Sequence, residues 1–259
     1  MLFLFSDILY FYKKYEIMEA LYERFRVLLE RTNTEFLRYL HHKIDWNNRL
    51  TAIVGARGVG KTTLLLQHIK LNLRIEETLY VSADDLYFTN NSLFDLASTF
   101  YKNGGKFLFV DEVHKYDNWS KEIKMMYDYY PDMNLVFTGS SILDMYHLYG
   151  MSFREYLNMS QGLNLKSYSL DEIVNNKIEI SSFIQHPLPL FKKYLSEGYY
   201  PFYKESAYQE RLRNILNLII ETDIPSHINM NVSSAKKMKQ LLYIISQSVP
   251  FKPNFTKIA

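Results

Sequence analysis

The chain has 259 residues, enough for one sizeable α/β core with a smaller appendage or for two modest domains. Apolar residues make up 47% and charged residues 22%, a composition that is typical of folded soluble proteins and argues against extensive disorder. The 30 Lys and Arg residues nearly balance 28 Asp and Glu, so the net charge does not call for a polyanionic partner. The absence of cysteine excludes a disulfide framework and a thiolate zinc site, and we expect a cytoplasmic protein.

The first 48 residues are expected to form an N-terminal helical segment. Residues 1–12 are apolar apart from Ser6 and Asp7, but the stretch is too short to span a bilayer and lacks the basic start of a signal peptide. We expect it to pack as a helix on the body of the protein. Helical spacing of apolar residues continues over residues 8–45.

From residue 49 to residue 168, short apolar runs alternate with helical stretches. The β-rich runs are Leu50–Val54, Thr78–Ser82, Lys106–Val110, Asn134–Thr138 and, as a candidate fifth strand, Leu163–Tyr168. The helices between them are predicted at residues 60–73, 92–102 and 117–129. This alternation predicts an α/β fold: a three-layer αβα sandwich around a parallel sheet.

Beyond residue 168 the strand signal fades and a helical C-terminal domain over residues 169–259 is predicted. Its helices are expected at residues 169–175, 187–197, 204–221 and 232–248, separated by prolines. The last residues, 254–259, are expected to begin a further element of the chain, such as part of a winged helix.

The strongest motif is G-A-R-G-V-G-K-T, which matches G-x-x-x-x-G-K-[ST] and stands between a strand and a helix. Its glycines permit backbone angles that let successive N–H groups point at phosphate oxygens, and the helix N-terminus adds a favourable dipole. Lys61 is expected to contact the β- and γ-phosphates and Thr62 to ligate Mg²⁺. The predicted nucleotide-binding residues are Gly55, Ala56, Arg57, Gly58, Val59, Gly60, Lys61, Thr62 and Thr63.

Two acids end the apolar run that starts at Lys106. Charges at the tip of a buried strand are costly unless they have ligands. Asp111 is therefore expected to hold Mg²⁺, largely through water, and Glu112 to act as the general base toward the attacking water.

The run V-F-T-G-S-S also ends in polar residues. If this strand lies between the strands that carry the loop and the acids, Ser140 or Ser141 would face the γ-phosphate, and we name both as candidate catalytic residues beside Lys61 and Glu112.

These motifs together with S-F-R-E-Y-L, E-G-Y-Y-P and E-T-D-I-P resemble the prokaryotic AAA-type ATPase family whose members carry an extra helical C-terminal domain. The resemblance covers about residues 35–259. It implies a sheet in the order 5-1-4-3-2 and ATP as the nucleotide, in line with the absence of an N-K-x-D run for guanine. One departure concerns the gap before F-R-E-Y-L, where family members usually carry arginine. Here residues 142–151 contain none.

Three functions remain open at this stage. The first is an ATPase that hydrolyses ATP slowly and drives a conformational change of its C-terminal domain. The second is a nucleotide-gated module that recruits a protein or DNA with little turnover, and the third is a kinase for a small acceptor. The partner is accordingly a protein, a second copy of the chain or DNA, and we expect no membrane association.

Overall fold

A computed structural model describes residues 18–139, 145–175, 184, 186–227 and 232–247. The chain divides into two compact units, Met1–Pro201 and Phe202–Ala259. The expectations for residues 1–12 and 254–259 lie outside the described residues. The domain boundaries expected after residues 48 and 168 stay a prediction.

The first unit is built on a five-stranded parallel sheet. Its strands are β1 Leu50–Val54, β2 Thr78–Ser82, β3 Phe107–Asp111, β4 Asn134–Gly139 and β5 Met145–His147. They lie in the order β2-β3-β4-β1-β5, and every neighbouring pair is parallel. Read from the other edge, this is the predicted order 5-1-4-3-2, so the predicted fold class is confirmed.

The fifth strand is not the one expected from the sequence. Residues 163–168 form no strand. The Asn158 side chain binds both backbone groups of Leu165, which are then not free to pair with a strand. Its Oδ1 accepts from the Leu165 N–H at 2.8 Å, and its amide donates to the Leu165 carbonyl at 3.3 Å. The edge position belongs to β5, whose three residues pair with β1 in the register Ala52↔Met145 to Val54↔His147. A run this short carries too little periodicity to stand out in the sequence.

Helices cover both faces of the sheet. In the first unit they are α1 over residues 18–31, α2 Lys61–Asn72, α3 Leu93–Lys102, α4 Trp119–Tyr129, α5 Phe153–Gln161, α6 Leu170–Val174 and α7 Pro187–Glu197. In the second they are α8 Tyr208–Leu218, α9 Ile224–His227 and α10 Val232–Gln247, with a π-helical turn, Ile219–Asp223, between α8 and α9. No helix within the described ranges combines the length and apolar character needed to cross a bilayer.

Helix α1 ends at residue 31, well before the predicted limit of 45. The Thr32 hydroxyl donates back to the Leu28 carbonyl at 2.8 Å, and the Asn33 Oδ1 accepts from the Glu35 N–H at 2.7 Å. Side chains that bond to nearby backbone in this way compete with the helical ladder. The chain then forms a 3₁₀ turn, Tyr39–His42.

Alternate strand residues fill two cores, one on each face of the sheet. In β3, Leu108 and Val110 pack with α3 and α4, whereas Phe109 between them packs with α1 and α2. In β4, Leu135 and Phe137 lie on the first face. Both faces are apolar because helices bury both, as expected for a parallel sheet.

Candidate nucleotide-binding site

The loop from Gly55 to Gly60 joins β1 to α2. Gly60 caps α2 with φ +98°, in the left-handed region that side chains rarely adopt. Gly55 is required for space rather than for its backbone angle, since a Cβ there would lie 2.2 Å from the Leu148 carbonyl oxygen. The first N–H groups of α2 have no acceptor within the helix and face the loop, which makes this helix N-terminus suited to an anion.

Lys61 is the first residue of α2 and reaches back along the loop. Its Nζ donates to the Gly55 carbonyl at 2.8 Å and to the Ala56 carbonyl at 3.2 Å. The ammonium therefore lies at the loop itself, where it can meet a phosphate.

A buried carboxylate contacts Thr62, the residue that follows Lys61. Asp111, at the end of β3, is 2% exposed. Its Oδ2 accepts from the Thr62 hydroxyl and, at 2.9 Å, from the Tyr80 hydroxyl, while its Oδ1 accepts from the Thr138 hydroxyl. These three donors from three different elements satisfy a group that would otherwise be costly to bury. Burial, and then the charge of Asp111, raise the pKa of Tyr80, so its phenol stays a donor.

Glu112 has a backbone conformation that no other described non-glycine residue shares. Its φ of 51° and ψ of 41° place it in the left-handed region. Its N–H donates to the Thr138 Oγ1 at 2.9 Å and to the Asp111 Oδ1 at 3.1 Å, which holds the turn in place. A strained residue of this kind, held by its surroundings, is typical of functional sites.

The Glu112 carboxylate turns toward the loop. Its Oε2 lies 4.0 Å from the Arg57 guanidinium Nη2. Burial raises the pKa of Glu112, and the charge of Arg57 opposes that rise, while Asp111 and Asp84 add to it. A carboxylate whose pKa is raised above its ordinary value is a better general base than an ordinary exposed one.

The structure brings most of the predicted site residues together. Arg57, predicted as part of the nucleotide-binding loop, lies beside Glu112. Val59 has a fully buried side chain and offers only its backbone, whereas Thr63 is exposed on the first turn of α2. Ser140 and Ser141 lie outside the described residues, and their roles stay a prediction.

Sequence reasoning missed three residues of the site. Tyr80 and Thr138 both bond to Asp111, and a signal for Thr138 exists, because it is a polar residue in an apolar strand whose register puts it beside Asp111. The third is Arg38, whose Nη1 donates to the Val59 carbonyl at 2.5 Å. Nothing in the sequence around Arg38 indicates this contact.

The F-R-E-Y-L motif contributes one partner of a buried ion pair, Glu155, whose Oε1 lies 2.9 Å from the Arg38 Nε. Arg154 follows Phe153 at the start of α5, whereas Glu155 is in the third position of the helix, where it takes part in the helix cap.

The residues present fit a magnesium nucleotide. Across the described ranges, no group of three or more His, Asp or Glu side chains could hold a metal by itself. Thr62 and Asp111 nevertheless bring a hydroxyl and a carboxylate together at the loop, and Mg²⁺ at nucleotide sites takes one or two such ligands, with phosphate and water completing its shell.

Two proteins of Methanocaldococcus jannaschii, both described as uncharacterized, are similar in sequence. MJ1637 is 26% identical over an alignment of 263 positions that spans 85% of this chain and 55% of the relative. MJ1544 is 27% identical over an alignment of 229 positions that spans 75% of this chain and 50% of the relative. The chain thus spans about half the length of these curated relatives.

Among solved structures, C. elegans PCH-2 matches this chain with a TM-score of 0.39 at 16% identity over 78% of this chain and 61% of that one. Domain III of the Thermotoga maritima replication initiation protein DnaA has a TM-score of 0.33 at 14% identity over 51% of this chain and 75% of that one.

A family model described as an AAA domain matches residues 47–174. The matched stretch contains all five strands of the sheet, the phosphate loop and both acids. Residues 47–174 are therefore an AAA domain of the AAA_14 family.

Proposed function

We propose that the chain binds ATP with Mg²⁺ at the loop of residues 55–62 and hydrolyses it slowly, using the energy to change the conformation of its C-terminal domain. The observation that carries this proposal is the hydrogen bond between the Thr62 hydroxyl and the Asp111 carboxylate. It joins the helix that opens at the loop to the acidic end of β3, 49 positions further along the chain. A loop that is only a glycine-rich turn has no need of such a partner.

Each residue has a distinct role in this proposal. The glycine loop and the first N–H groups of α2 bind the phosphates, and Lys61 adds a positive charge to the β- and γ-phosphates. Thr62 and Asp111 would hold Mg²⁺, which neutralises charge on the phosphate oxygens. Glu112 accepts a proton from the attacking water, and its N–H bonds to Thr138 and Asp111 fix the direction of its side chain.

A second function of a different class is a nucleotide-gated binding module. Two observations favour it: Arg57 lies within 4.0 Å of the proposed base, and residues 139–153 contain no arginine that could stabilise the γ-phosphate. If an arginine must come from a partner or a second copy of the chain, the isolated chain would hold ATP for long periods. The rate of turnover separates this function from the first.

Isothermal titration of ATP in the presence of Mg²⁺ tests the binding step. Wild-type protein should bind, and Lys61→Ala should lose at least about tenfold in affinity, because a charged contact to phosphate is worth about 1.5–3 kcal/mol. Lys70→Ala is the matched control: Lys70 is on the same helix but donates to the Glu30 and Thr32 carbonyls. Absence of binding by wild-type protein, or equal loss in both variants, would contradict the proposal.

A further inference from the structure

Arg38 connects three parts of the chain that are far apart in sequence. Its Nη1 donates to the Val59 carbonyl at 2.5 Å, its Nη2 to the Tyr149 carbonyl at 2.6 Å, and its Nε to the Glu155 Oε1 at 2.9 Å. The side chains of Arg38 and Glu155 are only 5% and 4% exposed. All three donor nitrogens of the guanidinium therefore have a partner inside the protein.

Glu155 is held as firmly as Arg38. Its Oε1 also accepts from the Tyr39 N–H at 2.9 Å, and its Oε2 accepts from the N–H of Ser152 at 3.0 Å and from its hydroxyl at 3.1 Å. The contact with the Ser152 N–H is half of the capping box that starts α5. The guanidinium is thus tied to the first turn of α5 as well as to the phosphate loop.

The contacts continue from α5 to α7. The Tyr194 hydroxyl donates to the Met151 carbonyl at 2.8 Å, just before α5. The rings of Phe153 and Phe191 lie edge to face with centroids 5.2 Å apart, and the rings of Tyr156 and Tyr194 lie 5.6 Å apart. A continuous set of contacts therefore runs from the loop through Arg38 and α5 to α7, all within the first unit.

Arg38 contacts the loop at a point where the backbone has unusual conformational freedom. Val59 lies between Gly58 and Gly60, whose φ angles are +84° and +98°. Glycine backbone has many accessible conformations, and ordering it is costly. A rigid donor that fixes the Val59 carbonyl removes alternatives, so that the N–H groups of the loop are already placed when a phosphate arrives.

We propose that Arg38 is a positioning residue for nucleotide: it holds the loop at Val59 and couples occupation of the loop by phosphate to the order of α5 and α7. This inference rests on the proposed nucleotide binding. If the contacts act as one unit, ATP binding should protect α5 and α7 from hydrogen exchange, and the coupling should run through the Arg38 and Glu155 pair.

Arg38→Lys tests the inference, because lysine keeps the positive charge but cannot offer three fixed donors to three acceptors. Arg49→Lys is the matched control. Arg49 also donates to a backbone carbonyl, that of Tyr127 at 2.7 Å, but at the opposite end of β1 from the loop. ATP affinity is measured by titration calorimetry, and hydrogen exchange of residues 153–161 and 187–197 is measured with and without saturating ATP.

For Arg38→Lys we expect about a tenfold loss of ATP affinity and, at saturating ATP, no protection of α5 and α7. Arg49→Lys should keep both wild-type properties. Wild-type affinity together with wild-type protection in Arg38→Lys would overturn the inference and leave the proposed function standing. A wild-type protein that binds no ATP would instead overturn the proposed function itself.

Arg38→Lys leaves buried acceptors without their donors, which costs stability, so a second variant keeps the inference testable if this one does not fold. The double variant Arg38→Met/Glu155→Leu then replaces it, since a buried pair exchanged for apolar residues of similar volume is often tolerated. The folded double variant should show the same loss of affinity and of protection. Wild-type behaviour of this variant would equally overturn the inference.

Discussion

His68 should make the stability of the protein depend on pH between about 4 and 6.5. It lies on α2, the helix that opens at the phosphate loop, and is 6% exposed. Its ring stacks on that of Trp46, with centroids 3.8 Å apart and an interplanar angle of 8°. Burial, and then the neighbouring His41, lower the pKa of His68 from 6.5 to about 4.

The sign follows from which state binds the proton. Between pH 6.5 and 4 the unfolded chain protonates this histidine while the folded protein keeps it neutral. Acid therefore favours the unfolded state over this range, and the stabilisation present above pH 6.5 is lost as pH falls, with no further loss from this group below about pH 4. The displacement of 2.5 in pKa corresponds to about 3 kcal/mol. Burial and the charge of His42 also lower the pKa of His41, which adds a loss in the same direction.

The variant His68→Phe keeps a flat ring against Trp46 but cannot titrate. Urea unfolding at a series of pH values gives the free energy of unfolding for both proteins. The wild type should lose about 3 kcal/mol more than the variant between pH 7 and pH 4, and the difference between the two should stop changing above pH 7. Parallel curves for the two proteins across the whole range would refute the assignment of a lowered pKa to His68.

Three further results are expected. Asp111→Asn should weaken the Mg²⁺-dependent part of ATP binding by about 10- to 100-fold, while ATP binding measured in EDTA stays unchanged; equal losses in both conditions would speak against a metal role. Arg57→Ala should raise the pKa of Glu112 further, since Arg57 opposes the rise that burial causes. The acidic limb of the plot of ATP hydrolysis rate against pH should then move to higher pH, and an unmoved limb would exclude the pairing. The isolated chain should release phosphate at less than about one turnover per minute, because an arginine finger typically contributes about 10³ to 10⁵ in rate; fast turnover that does not depend on protein concentration would show that such an arginine acts within the chain.

The sequence predicts the sheet and the nucleotide loop because both depend on local signals. The run Leu50–Val54, for example, is apolar and is followed by glycine. The loop motif itself indicates a strand before it and a helix after it. The fifth strand could not be placed, since three residues of β5 show no periodicity and since the Asn158 side chain blocks the alternative at residues 163–168.

Contacts across long sequence distances were the other source of error. Arg38 and Glu155 are 117 positions apart, and neither residue belongs to a spacing pattern that would relate them. The contact between Arg57 and Glu112 was not predicted either, because the loop motif leaves the residue type at position 57 unrestricted. The left-handed backbone conformation of Glu112 brings its carboxylate toward Arg57. Glutamate has no preference for this conformation, so the sequence does not predict it.

Phosphate release by Glu112→Gln tests the central claim most directly, measured beside wild-type protein at equal concentrations of protein and of ATP with Mg²⁺. The variant should bind ATP as wild type does and release no phosphate above background, because an amide cannot accept the proton of water. Wild-type protein should release phosphate slowly and in proportion to its concentration, and only when Mg²⁺ is present. Equal release by the two proteins would contradict hydrolysis at this site.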